Sequence, residues 1–253
     1  MTNPDNRLFA AIDLGAALGL LTRLPVHVDT ARATARGAAA AWAYPVVGML
    51  IGLKQAVTLA LLIWLGVPVA ISAALVLALA VVLTGALHED GLADTADGLW
   101  GGWDKARRLA IMKDSHIGSY GVIALALTLL LRWLGLVAIA GFGGFALVLV
   151  VIAALSRASM VGVMAALTHA RDGGLSRSVG RPSPRTAFVA VGIAAALAVL
   201  GGYFALVFVA AVTACICAWI AREKIGGQTG DILGAVQQLT EVALLVAVAA
   251  ILA

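Results

Sequence analysis

The segment richest in reactive side chains runs from His88 to Gly98 and contains four carboxylates. Three of them, those of Asp90, Asp94 and Asp97, are spaced four and three residues apart. On a helix this spacing confines them to one narrow sector, so their charges converge on one stripe. Clustered carboxylates repel each other and need a cation to be stable, and oxygen ligands of this kind suit Mg²⁺ or Mn²⁺. We therefore predict that these three aspartates are catalytic residues that bind a divalent cation of this kind.

The same residues also fit a simpler interpretation, which is a solvated acidic face on a helix beside the membrane. Gly91 and Gly98 count against it, because glycine lowers helix stability and lets the backbone approach a ligand closely. His88 is open to two interpretations as well. It either takes part in catalysis, as a metal ligand or general base, or is a hydrogen-bonded residue without a chemical role.

A second polar element, the glycine-rich segment from Gly226 to Asp231, precedes an apolar stretch near the end of the sequence. Exposed backbone N–H groups ahead of a helix N-terminus form a site for anions. The predicted phosphate contacts here are Gly227, Thr229 and Gly230, and Asp231 is predicted as a further metal ligand. Glycine-rich turns are common between helices, so this element gains weight only together with the acidic run.

Basic residues supply the other candidate contacts to a phosphate. Lys113 and Asp114 lie in a polar segment that fits either a substrate contact or a surface that binds lipid headgroups. Arg157 is the deepest charge within a predicted span, where it is costly unless it faces the protein interior. The arginines of the loop 171–185 either mark topology or also contact phosphate: Arg171, Arg177, Arg181 and Arg185.

The elements that position these residues must lie in a membrane. Of the 253 residues, 62% are hydrophobic and 12% are charged, and the mean hydropathy is +1.05. A soluble chain this apolar could not cover its surface with polar groups. We therefore predict an all-α, polytopic helical bundle in which residues 1–253 form a single integral-membrane catalytic domain. The net charge of +4 does not indicate nucleic-acid binding, because basic residues in a membrane protein mark its cytoplasmic loops.

Charge placement supports a count of about seven transmembrane helices. All but three of the 17 basic residues fall before the first apolar stretch or in loops on the same side of the membrane. The positive-inside rule places this side in the cytoplasm, together with the N-terminus, the acidic run and the glycine-rich segment. The catalytic face is therefore expected to be cytoplasmic. The predicted spans are residues 38–65, 68–87, 119–138, 142–168, 187–203, 205–221 and 234–252.

Several motifs resemble, in the same order, those of the cobalamin synthase family, the adenosylcobinamide-GDP ribazoletransferases. The acidic run is the most specific of them, and the others support it. The resemblance extends from about residue 14 to the end of the chain. The motifs are TRLP at 22–25, PVVG at 45–48, HEDGLADTADG at 88–98, MKDS at 112–115 followed by IG at 117–118, and GQTGD at 227–231.

The resemblance implies the last assembly step of adenosylcobalamin. In that reaction α-ribazole, or its 5′-phosphate, attacks the cobinamide-side phosphate of adenosylcobinamide-GDP and releases GMP. A diphosphate substrate of this kind needs a divalent metal and in-line positioning of an alcohol, which agrees with the predicted Mg²⁺ site. The general base is either His88 or one of the carboxylates. The resemblance also implies a multi-pass protein of the bacterial inner membrane, and it leaves open a homo-oligomer or a complex with other corrin-pathway enzymes.

Two other functions fit parts of the sequence. A membrane enzyme like the CDP-alcohol phosphotransferases also uses aspartates and Mg²⁺, but its pattern has Ala-Arg where this chain has Ala93-Asp94. An ion-coupled transporter would combine intramembrane Arg and Lys with clustered carboxylates. Transporter sites lie near the middle of the bilayer, whereas this run lies at the predicted cytoplasmic end of a span. Release of GMP, as opposed to solute flux, distinguishes the enzyme from the transporter.

Overall fold

The structure, a computed structural model, describes residues 7–252, and its regular elements in this range are helices. The one exception is an isolated bridge between His169 and Gln228. This confirms the predicted all-α class. The helices are α1 (Ile12–Leu21), α2 (Thr30–Arg36), a 3-10 helix (Gly37–Ala43), α3 (Tyr44–Trp64), α4 (Val69–Thr84), α5 (Leu87–Gly101), α6 (Lys105–Ile111), α7 (Ser119–Ile139), α8 (Phe145–Ala166), α9 (Leu175–Val179), α10 (Pro184–Leu200), α11 (Phe204–Ile225) and α12 (Gly230–Leu252).

Each predicted span corresponds to one long helix, namely α3, α4, α7, α8, α10, α11 or α12. Within residues 7–252, five helices are long and apolar enough to cross a membrane, and a sixth span results if α4 and α5 are counted together. The helices α4 and α10 contain only 16 and 17 residues. At 1.5 Å per residue they reach about 25 Å, slightly less than the hydrocarbon core. The structure thus agrees with a multi-pass bundle and, roughly, with the count of about seven.

The chain turns sharply between α4 and α5. The two helix axes meet at 88°, and Gly85 and Ala86 both adopt left-handed backbone conformations with φ of 63° and 57°. Arg23 stabilises this turn: its backbone N–H donates to the carbonyl of Leu83 at 2.7 Å, and its side chain covers Gly85. The apolar α4 therefore ends at the turn, and the polar α5 is a separate helix that follows the predicted span 68–87.

Helix α8 forms the centre of the bundle, with 83% of its apolar window buried inside the protein. Its closest neighbour is α3, which carries Gly48 and Gly52 at the contact. A Cβ atom on Gly52 would lie 2.6 Å from the carbonyl oxygen of Leu149, so only glycine allows these backbones to approach so closely. This packing holds α8 in place, and the loop that follows α8 leads to the candidate site.

A buried network of charged side chains joins α5 to the bundle. Arg132 donates to Glu89 at 2.9 Å and to Glu241 at 2.7 Å, and Arg157 donates to the other oxygen of Glu241 at 3.0 Å. The side chain of Gln238 donates to Glu89 at 2.9 Å. Two positive and two negative charges balance, which is required of charges held in an apolar interior. The network therefore fixes α5 against α7 and α12.

A second buried ion pair fixes the N-terminal helices. Arg36 at the end of α2 donates through Nε and Nη2 to the two oxygens of Asp13 in α1, at 2.6 and 2.7 Å. The indole N–H of Trp42 donates to the same carboxylate at 2.8 Å. Because this is a two-point contact between planar groups, it sets the orientation as well as the distance of α1 relative to α2.

Candidate active site

A cavity of about 260 Å³ lies between α5, α12, the end of α8 and the loop that follows it. We call it the acidic cavity, because two carboxylates line it. Its polar lining residues are His88, Asp90, Arg171, Ser176 and Asp231. Its apolar walls include Leu20, Leu21, Tyr44, Leu87, Met160 and Met164. A cavity with one charged side and one apolar side suits a ligand that carries both phosphate and hydrophobic groups.

The aspartates of α5 reach Asp231 because α5 and α12 cross almost in backbone contact. A Cβ atom on Gly91 would lie 2.9 Å from the carbonyl oxygen of Asp231, and one on Gly234 would lie 3.2 Å from the Cα atom of Gly91. The missing side chain of Gly91 makes room for α12, and Gly91 also lines the acidic cavity. Gly98 similarly receives the side chain of Met112.

Asp94 lies at the centre of this group of carboxylates. Partial burial, followed by repulsion from Asp90, Asp231 and Asp97, raises its pKa from 3.8 to about 7. Arg171 is the cation that opposes this shift. One guanidinium does not neutralise several carboxylates, so the group is poised to take up a further positive charge.

Asp97 has a different environment from the other predicted metal ligands. Its side chain is buried, and its two oxygens accept hydrogen bonds from the backbone N–H groups of Gly118 and Gly121, at 2.7 and 2.9 Å. These groups belong to the first turn of α7, where a carboxylate is stabilised by unpaired N–H groups and by the helix dipole. The contacts in the structure therefore give Asp97 a positioning role, which is to hold α5 against α7.

The four predicted ligands are not preassembled as a metal cage. Among residues 7–252, no three His, Cys, Asp or Glu side chains are grouped closely enough to hold an ion. Mg²⁺ does not need such a cage, since it is usually bound by one or two carboxylates together with water and substrate phosphate. Asp90 and Asp94 are the less buried carboxylates of α5, and Asp231 lies beside them, so these three residues fit Mg²⁺ better than Asp97 does.

Arg171 extends the charged side of the cavity. Its Nη2 donates to Asp231 at 3.1 Å, while its buried Nη1 has no partner in the described part of the chain. Thr229 donates its hydroxyl proton to the same Asp231 oxygen at 3.2 Å and accepts from the N–H of Ile232, which caps α12. Arg171 thus presents a donor that a phosphate oxygen could accept.

The glycine-rich segment is mainly a structural connection. Gln228 donates its backbone N–H to Thr168 at 2.8 Å and accepts from Ala170 at 2.9 Å, which ties the segment to the loop after α8. The hydroxyl of Ser176 donates to the side-chain oxygen of Gln228 at 2.6 Å. Gly227 packs against the carbonyl of Thr168 and does not line the cavity. Of the three phosphate contacts predicted in this segment, only Gly230 lines it.

Three other predicted phosphate contacts lie away from the acidic cavity. Arg157 is 3% exposed and pairs with Glu241 inside the bundle, so its guanidinium does not reach the cavity. The expectation that a deep arginine faces the protein interior is confirmed, but the structure gives it a structural partner instead of a ligand. Lys113 and Asp114 are exposed after α6 and do not line the cavity.

His88 lines the acidic cavity, and in the described part of the chain its side chain is not the hydrogen-bonded residue that was one of the two interpretations of the sequence. It is 1% exposed, and neither ring nitrogen has a hydrogen-bond partner within the described residues. An unpartnered polar group in the interior is costly, so a ligand that supplies the partner would be stabilised there. Ser176 and Tyr44 are lining residues that the sequence analysis missed, since their only signal is proximity in three dimensions.

The fold and the site define a multi-pass helical membrane protein with an acidic cavity beside a basic loop. The chain belongs to the cobalamin-5-phosphate synthase family, whose sequence model matches residues 13–249. The family resemblance drawn from the motifs is thereby confirmed. No solved structure matches the chain.

Three relatives illustrate the similarity, and each is named adenosylcobinamide-GDP ribazoletransferase. The protein from Bradyrhizobium diazoefficiens is 43% identical over 242 residues, which cover 94% of this chain and 93% of the relative. The one from Mesorhizobium japonicum is 41% identical over 238 residues, covering 92% and 91%. The one from Sinorhizobium sp is 39% identical over 250 residues, covering 94% and 95%. The similarity therefore spans nearly the whole length of each chain.

Proposed function

We propose that this protein is an Mg²⁺-dependent phosphotransferase of the membrane. It transfers the phosphocobinamide moiety of adenosylcobinamide-GDP to α-ribazole or α-ribazole 5′-phosphate, and GMP leaves. The products are adenosylcobalamin or its 5′-phosphate. The family and the names of the relatives support this reaction. The observation in the structure that carries it is the acidic cavity, in which Asp90 and Asp231 lie beside Arg171 and an apolar wall.

The metal assignment rests on unbalanced charge. Asp94 is surrounded by three other carboxylates and opposed by one arginine, and this repulsion contributes to its raised pKa. We propose that Asp90, Asp94 and Asp231 hold Mg²⁺ together with substrate oxygens. Bound there, Mg²⁺ would neutralise charge on the diphosphate and stabilise the leaving GMP.

The protein's own residues bind and orient the reactants. Arg171 donates to a diphosphate oxygen through Nη1, which has no partner among the described residues. A ribose hydroxyl of the acceptor attacks the cobinamide-side phosphorus, a new P–O bond forms, and the P–O bond to GMP breaks. The hydroxyl proton passes to one of the carboxylates or to His88. The apolar wall that includes Met160 and Met164 limits competing attack by water.

The proposal includes a location for the protein. The basic loops and the acidic cavity face the cytoplasm of a bacterial inner membrane, in accord with the positive-inside rule. The apolar window of α11 is only 17% buried within the chain and that of α7 is 28% buried. These faces are in contact with lipid, with a second copy of the chain or with another enzyme of the corrin pathway. Crosslinking in native membranes distinguishes these arrangements.

The reaction is tested with the full chain reconstituted in liposomes. GMP release is measured with adenosylcobinamide-GDP, α-ribazole and Mg²⁺, and the control omits each substrate in turn or adds EDTA. We expect release that requires both substrates and the metal. The variant Asp90→Asn should lose this activity, whereas Glu223→Gln, which also converts a carboxylate into an amide but at the exposed end of α11, should keep it. If folded protein releases no GMP, CDP-alcohols and then solute flux should be tested in its place.

A further inference from the structure

A second cavity lies next to the acidic one and has a different chemical character. It measures about 360 Å³ and is bounded by α1, α2, the 3-10 helix and α9. We call it the apolar cavity, because no charged side chain of the described residues lines it. Small residues make up much of its surface: Gly15, Ala16, Ala17, Gly19, Ala33, Gly37 and Ala40. Small side chains on facing helices leave a space with smooth walls.

The two cavities are neighbours. They share the lining residues Leu20, Tyr44, Leu175 and Val179. A ligand that crosses these residues would have one end among small apolar groups and the other beside Asp90 and the remaining polar groups of the acidic cavity. The shared wall places the apolar cavity directly beside the candidate active site, where a subsite for one of the substrates would be expected.

The size and polarity of the apolar cavity indicate which part of the two substrates fits it. A corrin ring with its side chains is much larger than about 360 Å³. Guanine carries several donors and acceptors, and the side chains of this lining offer it only hydroxyl groups, such as those of Thr30, Thr34 and Ser178, with no amide or charged partner. The dimethylbenzimidazole base of ribazole is planar, uncharged and mainly hydrophobic, so it loses little on entering such a cavity.

The acidic cavity offers a place for the sugar of the same nucleoside. His88 lines it, is 1% exposed and has two ring nitrogens without a partner in the described part of the chain. Ribose hydroxyls both donate and accept hydrogen bonds, so they can satisfy a neutral imidazole, which has one donor and one acceptor nitrogen. A nucleoside bound in this way would place its hydroxyls beside the aspartates.

We infer that the apolar cavity binds the aromatic base of the acceptor nucleoside, with its ribose in the acidic cavity beside His88. The inference rests on the proposed function and adds the location of one substrate. The ion pair between Asp13 and Arg36 joins α1 to α2, so the walls formed by these helices are held together by a contact that does not depend on the nucleoside. Preorganised walls lower the entropic cost of binding.

The test fills the cavity with a larger side chain. Gly19 lines the cavity and a Cβ atom there would meet nothing within 4 Å, so Gly19→Leu adds a large side chain to the lining without a backbone clash. The matched control is Gly192→Leu on α10, where a Cβ atom also meets nothing within 4 Å. A second filling variant, Ala33→Leu, approaches from the α2 wall. Thermal unfolding confirms that each variant is folded.

Two quantities are measured in nanodiscs, the Kd of α-ribazole by calorimetry and the KM of each substrate by GMP release. We expect the filling variants to weaken α-ribazole binding at least about tenfold and to change the KM of adenosylcobinamide-GDP by less than about twofold. A nucleoside with a smaller base, ribosyl imidazole, should lose less affinity than α-ribazole. Unchanged α-ribazole affinity in both filling variants, or equal loss in Gly192→Leu, overturns the inference.

The same experiment separates failure of the inference from failure of the proposed function. If the wild-type protein neither binds α-ribazole nor releases GMP, the proposed function fails, whatever the variants do. If the wild type is active and the filling variants keep their α-ribazole affinity, only the subsite is wrong. Loss of a co-purifying phospholipid from Gly19→Leu, with α-ribazole binding intact, would assign the cavity to an acyl chain and also overturn the inference.

Discussion

Replacing Asp94 by Asn should stabilise the metal-free protein at high pH while abolishing its activity. Asn has nearly the shape of Asp but carries no charge, so the substitution removes the repulsion from Asp90 and Asp231. It also removes a proposed metal ligand. A variant that is more stable but inactive is expected where a functional site keeps charges that repel each other.

The magnitude follows from the raised pKa. A carboxyl group with a pKa of about 7 in the folded protein, against 3.8 unfolded, makes its full contribution to stability below pH 3.8 and loses it as the pH rises through 7. Without screening, the free energy of unfolding would be lower by about 4 kcal/mol once the pH has risen above 7. Asp94 is partly exposed, so water screens the repulsion, and we expect about 1–2 kcal/mol. Asp94→Asn escapes this loss, which corresponds to a Tm about 2–8 °C above that of the wild type.

The assay is thermal unfolding in detergent with EDTA between pH 4 and pH 8. The difference in Tm between Asp94→Asn and wild type should be small at pH 4, increase as the pH rises, and shrink at pH 8 when Mg²⁺ is added. Glu223→Gln, which removes an exposed charge, is the control for a general effect of charge. A Tm for Asp94→Asn equal to or below that of wild type at pH 8 in EDTA would refute the repulsion on which the metal assignment rests.

Three further predictions concern the residues around Asp94. Glu241→Leu leaves two buried arginines without their shared counter-charge, so we expect a loss of about 3–5 kcal/mol, measured as a lower Tm and yield in detergent. Asp97→Asn weakens two charge-assisted hydrogen bonds to α7 and should lower the stability by about 1–2 kcal/mol. In Mg²⁺ titrations of GMP release, it should shift half-saturation less than Asp90→Glu does. Arg171→Gln should raise the KM of adenosylcobinamide-GDP about tenfold and leave α-ribazole binding unchanged, as measured by calorimetry.

The helical class and the order of the spans were predictable because each depends on local composition. A window of about 20 residues is enough to recognise an apolar helix, and the predicted boundaries of α7, 119 and 138, differ from the structure by at most one residue. The sharp turn at Gly85 and Ala86 was not predictable, since Ala rarely adopts a left-handed conformation and the stabilising side chain of Arg23 is distant in sequence.

The sequence predicted which residues lie near the candidate site better than it predicted the contacts that each of them makes. The stripe of Asp90, Asp94 and Asp97 does lie on one helix, as the spacing indicated. The spacing could not indicate that Asp97 faces the N-terminus of α7, because that contact depends on how two helices pack. For the same reason the importance of Arg171 among four loop arginines emerged only from its position beside Asp231.

Charge balance separates the structural polar residues from the candidate functional ones. In the bundle interior, Glu89 and Glu241 are matched by two arginines that bind them directly, so the charges of this network balance without a ligand. Beside the acidic cavity, which Asp90 and Asp231 line and Asp94 does not, these three carboxylates repel each other and Arg171 opposes them. A group of like charges without a counter-charge destabilises the folded protein. It is therefore maintained only where a bound ligand supplies the opposite charge. A cation bridging these carboxylates to a substrate phosphate would supply it, which is why we assign the proposed chemistry to the unbalanced cluster and not to the deeper balanced one.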